Sequence, residues 1–138
     1  MNPQYRPPTL VAAVVGLILA AILGCASSQP RPTQTFEAAI DTSGVQRVNL
    51  QLHSYRFDPD RIVVHVGHPV ELVLHNHSLV VPHNFTIADS GFAVSQGVGL
   101  KRTHVIRFTP DRTGEFEFFC HVGSHAKKGM TGVLVVVP

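Results

Sequence analysis

Cys120, His125 and Met130 follow one another with four residues in each gap, in the segment Phe119-Cys-His-Val-Gly-Ser-His-Ala-Lys-Lys-Gly-Met130. A thiolate, an imidazole and a thioether are soft or intermediate ligands of the kind copper prefers. Two imidazoles and one thiolate in a trigonal set, with a distant methionine on the axis, make a centre for moving single electrons. The loop lacks the second imidazole. His83, in Val80-Val-Pro-His83-Asn-Phe-Thr-Ile87, is the candidate for it, at the start of an expected strand well upstream. Ligands carried by separate rigid strands and one compact loop hold a metal in nearly one geometry, whatever its charge.

Other chemistries fit these residues less well. Structural zinc takes four Cys or His ligands and rarely a thioether. A binuclear copper site needs a second cysteine in the loop, where residues 121–124 read His-Val-Gly-Ser. A Cys–His nucleophile leaves Met130 and the spacing unexplained. Taken singly, Cys120 reads as a buried apolar thiol and Met130 as a core filler. Taken together, in this order and with two histidines, they favour copper.

The elements that must position these residues are strands. From Val45 onward short apolar runs alternate with turn signals about every ten residues, the habit of a β-sandwich or barrel. Val48, Leu50 and Leu52 alternate with Asn49, Gln51 and His53, which turns one face of that segment inward. Further strands are expected at Arg61–Val66, Pro69–His75, His83–Ala88, Thr103–Phe108, Gly114–Cys120 and Gly132–Val137. The last of these is apolar on both faces, so it is expected to be central. No segment after the leader has a helical period, and no internal repeat is visible.

From Tyr55 to Pro138 the chain resembles the cupredoxin family. The resemblance lies in Phe57-Asp-Pro59, in Gly67 leading into a strand, in Asn76 ahead of the His83 region, and in Thr113-Gly-Glu-Phe-Glu-Phe-Phe-Cys120 before the ligand loop. It implies an all-β, Greek-key β-sandwich. It also implies one type 1 copper ion held by His83, Cys120, His125 and Met130, and a role as a one-electron carrier, with copper delivery or storage as the alternative. Asn76 is expected to tie the His83 region to the Cys120 loop and to orient the thiolate, or else to serve a turn. The loop length is similar to that of rusticyanin-like cupredoxins and of multicopper-oxidase copper sites. In those oxidases the histidine after the cysteine joins a trinuclear cluster drawn from two domains. One short domain does not assemble such a cluster, so His121 is read as an outward strand-end residue or an electron path, and no catalytic residue is assigned.

Ahead of this domain stand two shorter segments. Leu10 to Leu23 is an unbroken run of apolar and small residues preceded by Arg6, the layout of a secretory signal core or a short membrane anchor. Ile22-Leu-Gly-Cys25 resembles the lipobox of bacterial lipoproteins, which makes Cys25 the expected lipidation site. Residues 1–24 are therefore read as signal peptide or anchor, 25–44 as a flexible tether, with the stretch around Phe36–Ile40 as an alternative first strand of the domain, and 45–138 as the cupredoxin domain. Either reading of the leader expects the domain outside the cytoplasm, anchored to a membrane on the periplasmic or cell-surface side.

Charge says little about partners. The net charge is +2, the basic residues are dispersed, and no nucleic-acid partner is expected. The expected partners are redox proteins such as a cytochrome or a terminal oxidase or reductase. Lys127 and Lys128, between two ligands, could steer an acidic one.

Overall fold

The computed structural model describes residues 30–89 and 91–138. The expectations for the leader, including lipidation of Cys25, lie outside the described residues.

The alternation that begins at Val48 does turn one face inward. Val48, Leu50 and Leu52 are fully buried along β2 (Gln46–His53), while Arg47 and Asn49 face solvent. β2 lies in a four-stranded sheet between β3 (Arg56–Asp58) and β5 (Val70–Asn76), with β8 (Thr103–Phe108) beyond β5. The second sheet has six strands in the order β1-β4-β10-β9-β6-β7. These are β1 (Thr35–Glu37), β4 (Arg61–His65), β10 (Thr131–Val137), β9 (Gly114–Phe119), β6 (His83–Ile87) and β7 (Val94–Val98). The inner faces of the two sheets share one core. At its centre Phe57 packs edge-on against Phe85 and Phe118, with ring centroids 6.1 and 5.1 Å away. This is the all-β two-sheet sandwich that the sequence implies.

β10 is central, as its composition suggested: it pairs in parallel with β4 and antiparallel with β9. Its outward residues are only half buried, because one face of the strand looks away from the core. That pairing brings Gly132 under the Phe118 ring, and a Cβ there would fall on the ring and lie 2.6 Å from the Asp60 carbonyl oxygen.

The sandwich starts earlier than residue 45. Within the segment read as tether, Thr35–Glu37 pairs in parallel with Arg61–Val63 as β1. Ala38 is buried, its N–H donating to the Val63 carbonyl at 2.9 Å. Asp41 then closes a turn, its carboxylate accepting the amides of Ser43 and Val45. This segment has no sustained period because all three β1 side chains are exposed. Its order comes from backbone bonds to the otherwise open edge of β4. The sequence reading missed β7, Val-Ser-Gln-Gly-Val, a short edge strand whose polar and Gly content hides its pairing with β6.

Candidate metal centre

Three separate elements bring the ligand candidates to one end of the sandwich. His83 is the first residue of β6, a strand buried along its whole length between β7 and β9. Cys120 directly follows β9, and its N–H donates to the Met130 carbonyl at 3.1 Å, which carries the β9–β10 ladder one step past the strand. Between them the loop folds on itself. The His125 N–H donates to Val122, a single 3-10 turn follows at Ala126–Lys128, and the Met130 N–H returns to the His125 carbonyl at 3.0 Å. Gly129 ends that turn at φ 96°, a left-handed conformation that glycine adopts without strain.

The side chains converge. His83 Nδ1 and His125 Nδ1 are 3.2 Å apart, and Cys120 Sγ is 3.4 Å from His125 Nδ1. One donor atom from each of His83, Cys120 and His125 lies within 4.8 Å of the other two, and among the described residues these three form the one such metal-ligating group. His83 and Cys120 are almost fully buried, and His125 keeps 7% of its surface exposed. Met130 is fully buried just before β10, joined to the group through its backbone bonds to Cys120 and His125.

Burial sets the charge state of the two rings. Desolvation, helped by the nearby charges of His125 and His53, lowers the pKa of His83 to about 4. Desolvation and then Lys128 lower that of His125. Both imidazoles are therefore neutral at neutral pH and offer lone pairs, the form a metal requires. The Tyr55 and His125 ring centroids are 4.7 Å apart, and the Lys128 ammonium lies 4.1 Å from the Tyr55 ring centroid.

Of the expected tie, the structure shows the end toward the His83 region, where the Asn76 amide lies 3.5 Å from the Val81 carbonyl oxygen, and no Asn76 bond to the Cys120 loop. The Asn76 amide donates to the carbonyls of Val98 and Gly99 at 3.0 and 3.1 Å, and its oxygen accepts the Ser78 N–H at 2.8 Å. It serves the turn that leaves β5. The tie is made by Asn84 instead. Its backbone N–H points at Cys120 Sγ at 3.4 Å, and its side-chain oxygen accepts the His121 N–H at 2.8 Å. The signal for Asn84 was its place next to a ligand: the residue after His83 must carry its N–H to the strand's other side, toward β9. His121 is exposed, with its ring against the Asn84 amide and 3.0 Å from Thr86 Oγ1. Ser54 was also missed; its hydroxyl lies 3.4 Å from His83 Nε2.

The model for the cupredoxin-like domain matches residues 15–136. The chain belongs to the cupredoxin family. Among solved structures, this cupredoxin is similar to the metal-binding domain of the Cu(I)-exporting P-type ATPase of Streptococcus pneumoniae D39, solved with Cu(I). The two are 25% identical over 78% of this chain and 100% of that one, with a TM-score of 0.63. It is also similar to auracyanin A, a blue copper protein of Chloroflexus aurantiacus, at 20% identity, 68% and 100% coverage and a TM-score of 0.61. Reduced rusticyanin matches at 18% identity, 75% and 84% coverage and a TM-score of 0.56. No curated protein matches the chain. The cupredoxin fold and the buried group of two imidazoles and one thiol fit a single copper ion.

Proposed function

We propose that this cupredoxin is a one-electron carrier at the extracytoplasmic face of a membrane. The observation that carries the reading is the convergence of His83 Nδ1, His125 Nδ1 and Cys120 Sγ in a buried group at one end of the sandwich. Met130, buried and bonded through its backbone to Cys120 and His125, would supply the thioether. Copper bound there would supply a one-electron couple between its +1 and +2 states. The chain's own part is to keep the ligands still while the charge changes. β6 holds His83, the β9–β10 ladder holds Cys120, and the cross-tied loop holds His125. The Asn84 N–H stabilises negative charge on the sulfur, which bears on the potential.

Electrons would pass through the slightly exposed edge of His125. Exposed Lys127 and Lys128 beside it suit an acidic partner, such as a cytochrome or a terminal oxidase or reductase. The apolar leader and the Cys25 motif support a lipid or helical anchor and a periplasmic or cell-surface location.

Adding copper to the purified protein should give intense visible absorption from sulfur-to-copper charge transfer and one copper per chain. A colourless Cu(II) adduct would sink the reading. The likeness to the metal-binding domain of a Cu(I)-exporting ATPase favours a second reading, copper delivery or storage without an electron relay. Fast, reversible electron exchange with a cytochrome supports the carrier; its absence, with Cu(I) passing to an acceptor, supports delivery. Catalysis is not part of the proposal. The copper nitrite reductase of Thermus scotoductus also matches, but this chain spans only 28% of its length.

A further inference from the structure

We propose that Ser54 is the positioning residue for His83, its hydroxyl accepting the ring's Nε2–H and so fixing the tautomer that turns a bare Nδ1 toward Cys120 and His125. The proposal rests on the copper reading above and deepens it: it concerns how one ligand is made ready before any metal arrives.

His83 is 1% exposed, so its two ring nitrogens must find partners inside the protein. Nδ1 faces His125 Nδ1 at 3.2 Å and Nε2 faces Ser54 Oγ at 3.4 Å. A neutral imidazole carries one N–H, and the surrounding bonds decide which nitrogen holds it. Ser54 donates its only proton to Ser78 Oγ, 3.3 Å away. Its oxygen is left to accept, which places the His83 proton on Nε2. Ser78 is itself held from two sides. Its N–H donates to the Asn76 side-chain oxygen at 2.8 Å, and its hydroxyl oxygen accepts the Val81 N–H at 3.0 Å and, more weakly, the Val80 N–H at 3.3 Å. The relay therefore runs from a ligand ring through two hydroxyls into the turn that Asn76 anchors at the end of β5.

One consequence is an asymmetry between the two histidines. With Nδ1 of His83 bare, the proton between the two Nδ1 atoms belongs to His125, which also faces Cys120 Sγ at 3.4 Å. For His125 Nδ1 to serve as a ligand, that proton would have to move to Nε2 at the ring's exposed edge. His83 needs no such change. Outer hydrogen bonds that orient a ligating imidazole are worth about 10- to 100-fold in metal affinity.

The test uses the full chain in detergent, labelled with nitrogen-15, as wild type, Ser54→Ala and Ser54→Thr. Ser54 is exposed at its surface, so the extra methyl of threonine has room. In the metal-free wild type, long-range proton–nitrogen spectra should show His83 as the Nε2–H tautomer alone. Ser54→Ala should give a mixture of tautomers, and copper affinity should fall about 10- to 100-fold. Ser54→Thr should restore both. His83 found as the Nδ1–H tautomer in the wild type overturns the proposal whatever the variants do. So does a Ser54→Ala protein with wild-type tautomer and affinity; the blue absorption would persist there, leaving the copper reading intact. A wild type that gives no blue absorption overturns both.

Discussion

Two regions of this cupredoxin are rich in histidine, and only one of them collects ligands. On the outer face of the four-stranded sheet His53, His75 and His77 stand close together, on β2, on β5 and just beyond β5. His53 and His77 stack with centroids 5.2 Å apart and planes 15° from parallel. His75 spends its nitrogens on Thr103 and Asn49, and His77 bonds to Gln51. At the end of the sandwich only His83 and His125 meet, yet their nitrogens face each other and a thiol, away from water. Parallel rings cannot direct two in-plane lone pairs at one ion, whereas the His83 and His125 rings are tilted by 59° with both Nδ1 atoms turned inward. Local density of histidine does not make a site. Convergence from distant strands does, together with burial that keeps the rings neutral.

The sharpest way to break this comparison is to remove the thiol. Cys120→Ser should abolish the intense visible absorption of the copper-loaded protein, while the triple change of His53, His75 and His77 to Ala should leave it in place. Loss of colour in the triple variant would show that the outer cluster contributes ligands. The next effect in size is on stability. Phe118 is fully buried beneath the centre against Phe57 and Phe85, so Phe118→Ala should cost about 3–5 kcal/mol in a denaturant titration.

Acid should separate the regions further. The unfolded chain binds a proton at His83 below its ordinary pKa of 6.5, but the folded chain resists until about 4. Stability of the metal-free protein therefore falls as pH drops from about 6.5 toward 4, because the unfolded state binds more protons there. His83→Gln should flatten that slope in denaturant midpoints taken across the window. The smallest effect is expected outside: His75→Ala should change stability by no more than about 0.5 kcal/mol, since its partners can turn to water.

The ligand types were legible because they lie in one short segment, and because the chemistry of thiolate, imidazole and thioether narrows the metal before any fold is known. Strands with clear alternation, such as β2, were legible for the same local reason. β7 was not, and β1 only as an alternative to a tether, since an exposed or polar edge strand is ordered by backbone bonds to a partner far away in sequence. Asn76 and Asn84 show the limit most plainly. Both are asparagines near the His83 region, and side-chain chemistry alone cannot rank them. The sheet pairing ranks them, by turning the Asn84 N–H onto the sulfur and the Asn76 amide into a turn.

By itself, then, the amino-acid sequence determined a β-sandwich and placed Cys120, His125 and Met130 at a spacing suited to copper, since these depend on residue type and on near neighbours. The sequence pointed to His83 among nine histidines, but only the tertiary structure brings its ring to Cys120 and His125. The tertiary structure also decided that Asn84 reaches the thiol and that Ser54 meets the far side of the His83 ring. Those relations depend on which strands lie side by side, and strand pairing is a property of the whole core.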